Sequence, residues 1–350
     1  MKILVTGSTG FIGAALCRAL LAAGNEVRAF HRPTSTLRLI EDLPVEHCLG
    51  NLTQPETLEA ALQGIQLVYH AGALVGGPEE PGRIYAVIVE GTRSLLQAAR
   101  QAGVERIVYT SSAASLGIPE DMPLRSVSPR NRIAPVRINE NHTWNYAPER
   151  WPYAYAKYMA ELEVQRAVAM GMDAVIVNPT VVVGPGDIYR QASSTIVQVA
   201  RQRIPALVEG GLNVVHLSDV IAGHLAAAER GRSGQRYLLA GENLTIIEFL
   251  RKIARIAGVL PPLVLLPSSL VRALAGPSQL VASFIDLPAS SSTLRLAGRY
   301  FYYDNRKAQV ELGLKPPRPV DEAIQDAYNW FVSTGALSPR RTTAKSISID

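Results

Sequence analysis

At 350 residues the chain has room for one large α/β domain plus a smaller lobe, or for two domains. With 47% hydrophobic and 19% charged residues it reads as an ordinary globular protein able to bury a sizeable core. A net charge of +5 without a Lys/Arg run argues against nucleic-acid binding, and the two cysteines, Cys17 and Cys48, exclude a disulfide framework or a multi-cysteine metal site.

The first 110 residues alternate short apolar runs with helical patterns. Strand 2–6 (Lys-Ile-Leu-Val-Thr) is followed by a helix over 12–23, where Ile12, Leu16, Ala19, Leu20 and Ala23 share a face and Gly24 stops it. Strands are predicted over 26–30, 45–49, 66–70 and 106–110, with helices over 57–62 and 93–102 between them. No signal peptide is expected ahead of the first strand. The alternation predicts a Rossmann-type doubly wound parallel sheet covered by helices on both faces. A proline-rich stretch over 116–151 follows, then a helix over 152–170 opened by Pro152, and a strand over 173–177. Residues 1–178 are thus assigned to a dinucleotide-binding domain. From Asn178 the alternation loosens into a smaller, interleaved substrate lobe over 179–212 and 241–335, with strands 214–217 and 236–239 of the intervening 213–240 returning to the main sheet. The apolar stretch 259–287 is broken by Pro261, Pro262, Pro267 and Pro277 and carries Arg272 and Asp286, which argues against a membrane span. A polar tail over 336–350 is expected to be disordered, and the expected address is the cytoplasm, without a membrane partner.

Between the first strand and first helix stands Thr6-Gly7-Ser8-Thr9-Gly10-Phe11-Ile12-Gly13. A tight turn needs a residue without Cβ, and the backbone must approach a pyrophosphate closely while the helix start offers N–H groups and a positive dipole end. Gly7, Gly10 and Gly13 therefore predict a dinucleotide site. The second strand ends in Phe30-His31-Arg32-Pro33-Thr34-Ser35, with no carboxylate to take a ribose 2′-hydroxyl. Arg32, helped by Ser35 or Arg38, favours the 2′-phosphate of NADP(H), with NAD(H) also admitted.

Further motifs extend this pattern: Gly50-Asn51-Leu52, His70-Ala71-Gly72-Ala73, Glu90-Gly91-Thr92, Thr110-Ser111-Ser112, Tyr153–Lys157, and Asn178-Pro179-Thr180 with Gly184-Pro185-Gly186. Together they resemble the extended short-chain dehydrogenase/reductase (NAD-dependent epimerase/dehydratase) superfamily, over the chain up to about residue 335. Within it the chain looks most like the dihydroflavonol-reductase-like branch, which includes hopanoid-associated sugar epimerase-like proteins. The resemblance implies a cofactor site built from Gly7, Gly10, Phe11, Ile12, Gly13, Arg32, Asn51, Leu52, Gly72, Ala73, Tyr153, Lys157, Pro179 and Thr180. Two positions depart from the family pattern. Asn51 stands where an adenine-contacting Asp is usual, and Ile88 replaces an Asn whose loss bears on local helix geometry.

Tyr153 and Lys157 lie four residues apart, on one face of a helix. A phenol titrating near ~10 is a poor acid or base at neutral pH, and a nearby ammonium lowers that value. Neither Tyr155 nor Tyr158 has a Lys four residues on. By the resemblance Ser112, rather than Ser111, bonds the substrate oxygen, Tyr153 exchanges its proton, and Lys157 holds the nicotinamide ribose.

The reading is an NADP(H)-dependent reduction of a ketone or aldehyde to an alcohol, with a small carbonyl or alcohol compound as partner. A nucleotide-sugar epimerase or dehydratase with bound NAD is the alternative, and a non-catalytic NAD(P)-sensing regulator a third. Leu212 stands where sugar-nucleotide members carry a diphosphate-gripping Arg, although Arg190, Arg201 and Arg203 remain as other anchors. Trp144, Tyr146 and Trp151 either line an apolar substrate pocket or pin their loop to the protein. Helices 90–102 and 153–170 are the ones such proteins pack into a homodimer.

Overall fold

The computed structural model describes residues 1–74, 81–119, 136–189, 194–204, 206–274 and 294–338. The predicted strands appear as β1 (Lys2–Thr6), β2 (Glu26–His31), β3 (Glu46–Leu49), β4 (Leu67–His70), β5 (Arg106–Thr110), β6 (Ala174–Pro179) and β10 (Arg236–Leu239). They form a seven-stranded parallel sheet in the order β3-β2-β1-β4-β5-β6-β10. Helices α1 (Phe11–Ala22), α2 (Glu56–Leu62), α4 (Gly91–Gln101), α5 (Pro152–Ala169) and α7 (Leu217–Arg230) cover it.

Both faces of the sheet are dry, as a parallel sheet requires. Successive side chains of a strand point to opposite faces. Ile3, Val5, Val108, Val175 and Val177 therefore meet Leu16 and Leu20 of α1 and Val220 of α7 on one side. Leu4, Val68, Ile107, Tyr109 and Ile176 meet Leu58 of α2, Leu95 of α4 and Ala160 of α5 on the other. The strand order reverses between β1 and β4, and the crevice at such a reversal is where ligands bind.

The second lobe is built on a three-stranded sheet, β7 (Val181–Val183), β9 (Gly211–His216) and β11 (Glu242–Thr245), in the order β11-β9-β7. It packs with α6 (Ser194–Ala200), α8 (Ile246–Ala257) and the last described helix, numbered α11 here (Val320–Ser333), around Phe249, Ile253, Ile324 and Phe331. Three helices complete the chain order: α3 (Pro81–Tyr85), α9 (Ser268–Leu274) and α10 (Arg306–Glu311), with a small pair of strands β8 (Leu207–Val208) and β12 (Leu265–Leu266).

Two expectations are corrected, and a third is extended. Strand 214–217 does not return to the main sheet: β9 pairs with β7 and β11, and only α7 and β10 come back. Residues 336–338 are not part of a disordered tail, because Leu337 is buried and Ala336 accepts a hydrogen bond from Arg201; residues 339–350 lie outside the described ones. The helix expected from 93 is preceded by α3 and a five-residue π-turn, Ala86–Glu90. That turn contains the unusual Ile88, which is buried against the sheet while Thr92 Oγ1 donates to its carbonyl at 2.5 Å.

Two imidazoles are buried and held neutral. His70, bonded to Thr6 Oγ1 and Thr92 Oγ1, is pushed down to about 3 by burial and then by the Lys157 charge. Burial lowers His224 to about 4, against its bond to the Val220 carbonyl. Below the ordinary value of 6.5 the unfolded chain takes up protons that these folded imidazoles refuse. Their contribution is complete above that pH and is lost as pH falls, by roughly 1.4 kcal/mol per pH unit for each. The thermal midpoint should therefore drop between about pH 7.5 and about pH 5. His224→Gln should remove part of that slope, and a midpoint flat over this range in circular dichroism melts would contradict the assignment.

Candidate active site

The Gly-rich turn sits at the end of β1. Gly7 has φ +66°, and a Cβ there would lie 2.7 Å from Gly72 Cα after β4. A Cβ on Gly13 would meet the Gly7 carbonyl oxygen at 2.1 Å, so both positions demand glycine. The Gly10 N–H donates to the Gly7 carbonyl at 2.9 Å. Helix α1 starts with no side-chain cap and no acid in its first turn. Its N–H groups and positive dipole end are thus available to a phosphate, and the cradle fits the pyrophosphate of a dinucleotide.

One cavity of about 1060 Å³ runs from this turn across the carboxyl ends of the strands into the second lobe. Every residue expected to bind cofactor lines it: Gly7, Gly10, Phe11, Ile12, Gly13, Arg32, Asn51, Leu52, Gly72, Ala73, Tyr153, Lys157, Pro179 and Thr180. Ser35 joins Arg32 there, whereas Arg38 is exposed and does not line it. Next to Arg32 the buried His31 bonds His47, Nε2 to Nδ1 at 3.1 Å; Asp187 is the one carboxylate among the described residues lining the cavity.

The reactive end is assembled by β5 and α5. Pro152 opens α5 at a position where its missing N–H costs nothing, and one turn then separates Tyr153 from Lys157. Lys157 is buried, donates to the Thr110 carbonyl at 2.7 Å and lies 5.0 Å from the centre of the Tyr109 ring. Ser112 Oγ accepts from the Ala114 N–H at 3.2 Å and lies close enough to the Tyr153 phenol to favour its ionised form. Ser111 Oγ instead donates to Glu161 at 2.5 Å, which leaves Ser112 as the hydroxyl beside the phenol.

The electrostatics differ from the simple expectation. Burial pushes the Tyr153 phenol up to about 12, with the Ser112 hydroxyl pulling the other way. Burial also pulls Lys157 down to about 7, against the field of Glu161. Desolvation is the larger influence on both groups, and it favours the protonated phenol.

The far end of the cavity is apolar. Trp151, Val181, Leu212, Ile246, Phe249, Leu296 and Phe301 form its walls, Trp151 meeting Phe301 edge-on. The aromatic residues of the long insert divide their work. Trp151 lines the cavity, while Trp144 packs on Tyr155 and Tyr158 of α5 and pins the loop; Tyr146 lines nothing. Arg201 and Arg203 stay outside the cavity, and Arg190 lies outside the described residues. No group of three or more His, Cys, Asp or Glu arranged to hold a metal, and no helix long and apolar enough to cross a membrane, occurs among the described residues.

Comparison with known proteins agrees with this geometry. The model of the NAD dependent epimerase/dehydratase family matches residues 3–240. The chain belongs to that family. It is an extended short-chain dehydrogenase/reductase of the dihydroflavonol-reductase-like branch, and an NAD(P)-dependent enzyme. It is 34% identical to a protein of Synechocystis sp. provisionally named a dihydroflavonol 4-reductase, over 95% of this chain and 94% of that one. It is also 34% identical to sterol demethylase protein B of Methylococcus capsulatus, over 96% of this chain and 100% of the other. The crystal structure of gox2253 superposes with a TM-score of 0.81 at 37% identity, covering 96% of this chain and 99% of that one.

Sequence reasoning passed over two groups in this family member's site. His70 ties β1 to α4 beneath the Gly-rich turn, and its only signal was its place just before Ala71-Gly72. Glu161 lies under Ser112, signalled by its position four residues after Lys157. Gly13→Ala should weaken NADPH and NADH equally, by about tenfold or more in Kd, and cost roughly 1–3 kcal/mol of stability by overpacking. Fluorescence titration and thermal melts check both. Unchanged affinity would remove the turn from the dinucleotide site.

Proposed function

We propose that this enzyme uses NADP(H) to interconvert a carbonyl and an alcohol on a bulky, largely apolar small molecule. The observation that carries this reading is the wall around Leu212. A sugar nucleotide needs a cation for its diphosphate, and at that place the cavity offers a leucine beside Phe249 and Phe301. Besides Arg32, two arginines line the cavity, and both are engaged within the chain; Arg299 donates to the Pro119 carbonyl at 2.8 Å, and Arg83 also has a partner. Thr180 and Asn213, the polar pair beside Leu212, bond each other at 2.7 Å, and Asn213 also holds Gly241 and Asn243. An apolar substrate leaves none of these groups stranded. The similarity to a protein provisionally named a reductase supports the same direction.

A nicotinamide cofactor, when bound, supplies or accepts a hydride. Gly7, Gly10 and Gly13 would hold its pyrophosphate, and Arg32 with Ser35 its 2′-phosphate. In the reductive direction Ser112 Oγ orients the carbonyl oxygen, and Tyr153 Oη donates the proton that completes the alcohol. A phenol held protonated by burial is ready for that donation. The Lys157 ammonium then stabilises the phenolate left behind, until solvent returns the proton.

Turnover of NADPH and NADH with ketones of increasing apolar size tests the reading. NADPH oxidation should improve as the substrate grows, and Tyr153→Phe should lower kcat by roughly 10²–10⁴. Arg32→Ala should raise the Kd of NADPH about tenfold more than that of NADH. Interconversion of sugar nucleotides on a retained NAD, without net NADPH consumption, would overturn the proposal. Equal effects of Arg32→Ala on both cofactors would remove its NADP(H) preference.

A further inference from the structure

Four elements of the main sheet and its helices converge on one buried carboxylate that the reaction above does not use. Glu161 lies on α5, one turn beyond Lys157 and two beyond Tyr153, and is 3% exposed. Its Oε1 accepts from Ser111 Oγ at 2.5 Å and from Asn178 Nδ2 at 2.6 Å, and lies 2.6 Å from Ser115 Oγ. Its Oε2 faces Arg236 Nη1 of β10 at 3.5 Å. We propose that Glu161 is a positioning residue of the active site: its carboxylate locks the turn that aims Ser112 and keeps Lys157 in its ammonium form.

The first half follows from the bonds around Ser112. Ser115 Oγ lies 2.7 Å from the Ser112 carbonyl oxygen, and Asn178 Nδ2 donates to the same oxygen at 3.1 Å. Glu161 thus gathers the two groups that grip the Ser112 backbone, together with the hydroxyl of the preceding residue. Glu161 and Tyr153 stand on the same helix, so moving the carboxylate shifts the turn bearing Ser112 relative to Tyr153 through Ser115 and Asn178.

The second half follows from charge. The groups bearing on Lys157 come from every packed element: Tyr109 of β5 beneath it, His70 of β4, Tyr153 and Glu161 of α5, with Arg236 of β10 beyond Glu161. His70 is neutral, and both phenols are held protonated by burial. Glu161 is the described anion acting on the ammonium, and it opposes the desolvation that pulls Lys157 down to about 7. A buried carboxylate is costly to keep for hydrogen bonds alone, since a neutral amide or water could serve the hydroxyls. Its charge is what a neutral group lacks.

The inference rests on the assignment of Ser112, Tyr153 and Lys157 to the chemistry, so its first readout does not use turnover. In the full chain with isotope-labelled lysine, the Lys157 signal is assigned by its loss in Lys157→Met and titrated by NMR. In Glu161→Gln the Lys157 midpoint should fall by about one pH unit or more, a tenfold change in proton affinity. The alkaline limb of the NADPH turnover profile should move down with it, with the loss in kcat rather than KM. Glu161→Asp keeps the charge but shortens the reach. It should hold the midpoint near that of the parent and still lose kcat, which keeps the proposal testable if the Gln variant fails to fold. A midpoint unmoved in folded Glu161→Gln, or one that falls as far in Glu161→Asp, would overturn the proposal. A midpoint that moves in a protein without NADPH turnover would retain the link between the two residues and reject the reductase reading instead.

Discussion

The rest of the structure depends on how closely the turn after β1 passes the end of β4. A Cβ on Gly7 would sit 2.7 Å from Gly72 Cα, so only hydrogen fits between the two backbones. That contact places the start of α1 over the point where the strand order reverses. It is braced from below by a line of polar side chains. Thr6 Oγ1 bonds His70 Nδ1 at 2.7 Å and accepts the Gly72 N–H at 3.1 Å, while His70 Nε2 reaches Thr92 at 3.0 Å. Burying so much polarity at strand ends is tolerable because each partner satisfies another. Burial at this brace, together with the Lys157 charge, holds His70 neutral, so the integrity of the phosphate cradle and the acid sensitivity of the fold meet at one residue.

Much of the site was legible in the sequence because its determinants are local. A glycine that cannot carry a side chain, and a Tyr and Lys one helical turn apart, can be recognised from spacing and context. Arg32 follows from its place at the end of β2. What escaped was set by partners distant in sequence. The strand over 214–217 is correctly a strand, but periodicity gives no partner, and β9 joins β7 and β11 instead of the main sheet. The π-turn at Ala86–Glu90 inserts an extra residue into an otherwise helical pattern, which a 3.6-residue period absorbs without trace. Phe301 and Trp151, both lining the cavity, meet from positions 150 residues apart in sequence. No local pattern could pair them.

Glu161 shows a different kind of illegibility. In the sequence it is one of several charges on a long helix, and a charged helical residue is ordinarily solvated. Its burial follows only once Ser111, Ser115 and Asn178 are brought over it by β5 and β6. Buried carboxylates that keep several good donors are retained for geometry or charge, not for net stability. Here both uses coincide beneath Ser112, the serine whose hydroxyl acts on the Tyr153 phenol.

Burial then acts on Tyr153 and Lys157 in opposite senses. It raises the acid and lowers the base, because each neutral form is the cheaper one to bury. A phenol held to about 12 retains its proton for donation, while an ammonium drawn to about 7 is only weakly committed to its own. At neutral pH the two therefore present a protonated phenol and an amine that exchanges its proton readily. The asymmetry lies with the protein, since desolvation comes first in both shifts and the neighbouring charges only temper it. Running the reaction toward oxidation requires the opposite state, a phenolate beside a full positive charge. Glu161 is the group in this fold that pulls Lys157 toward that state, and the Ser112 hydroxyl does the same for Tyr153. The balance between burial and these two counterweights determines how steeply each direction depends on pH.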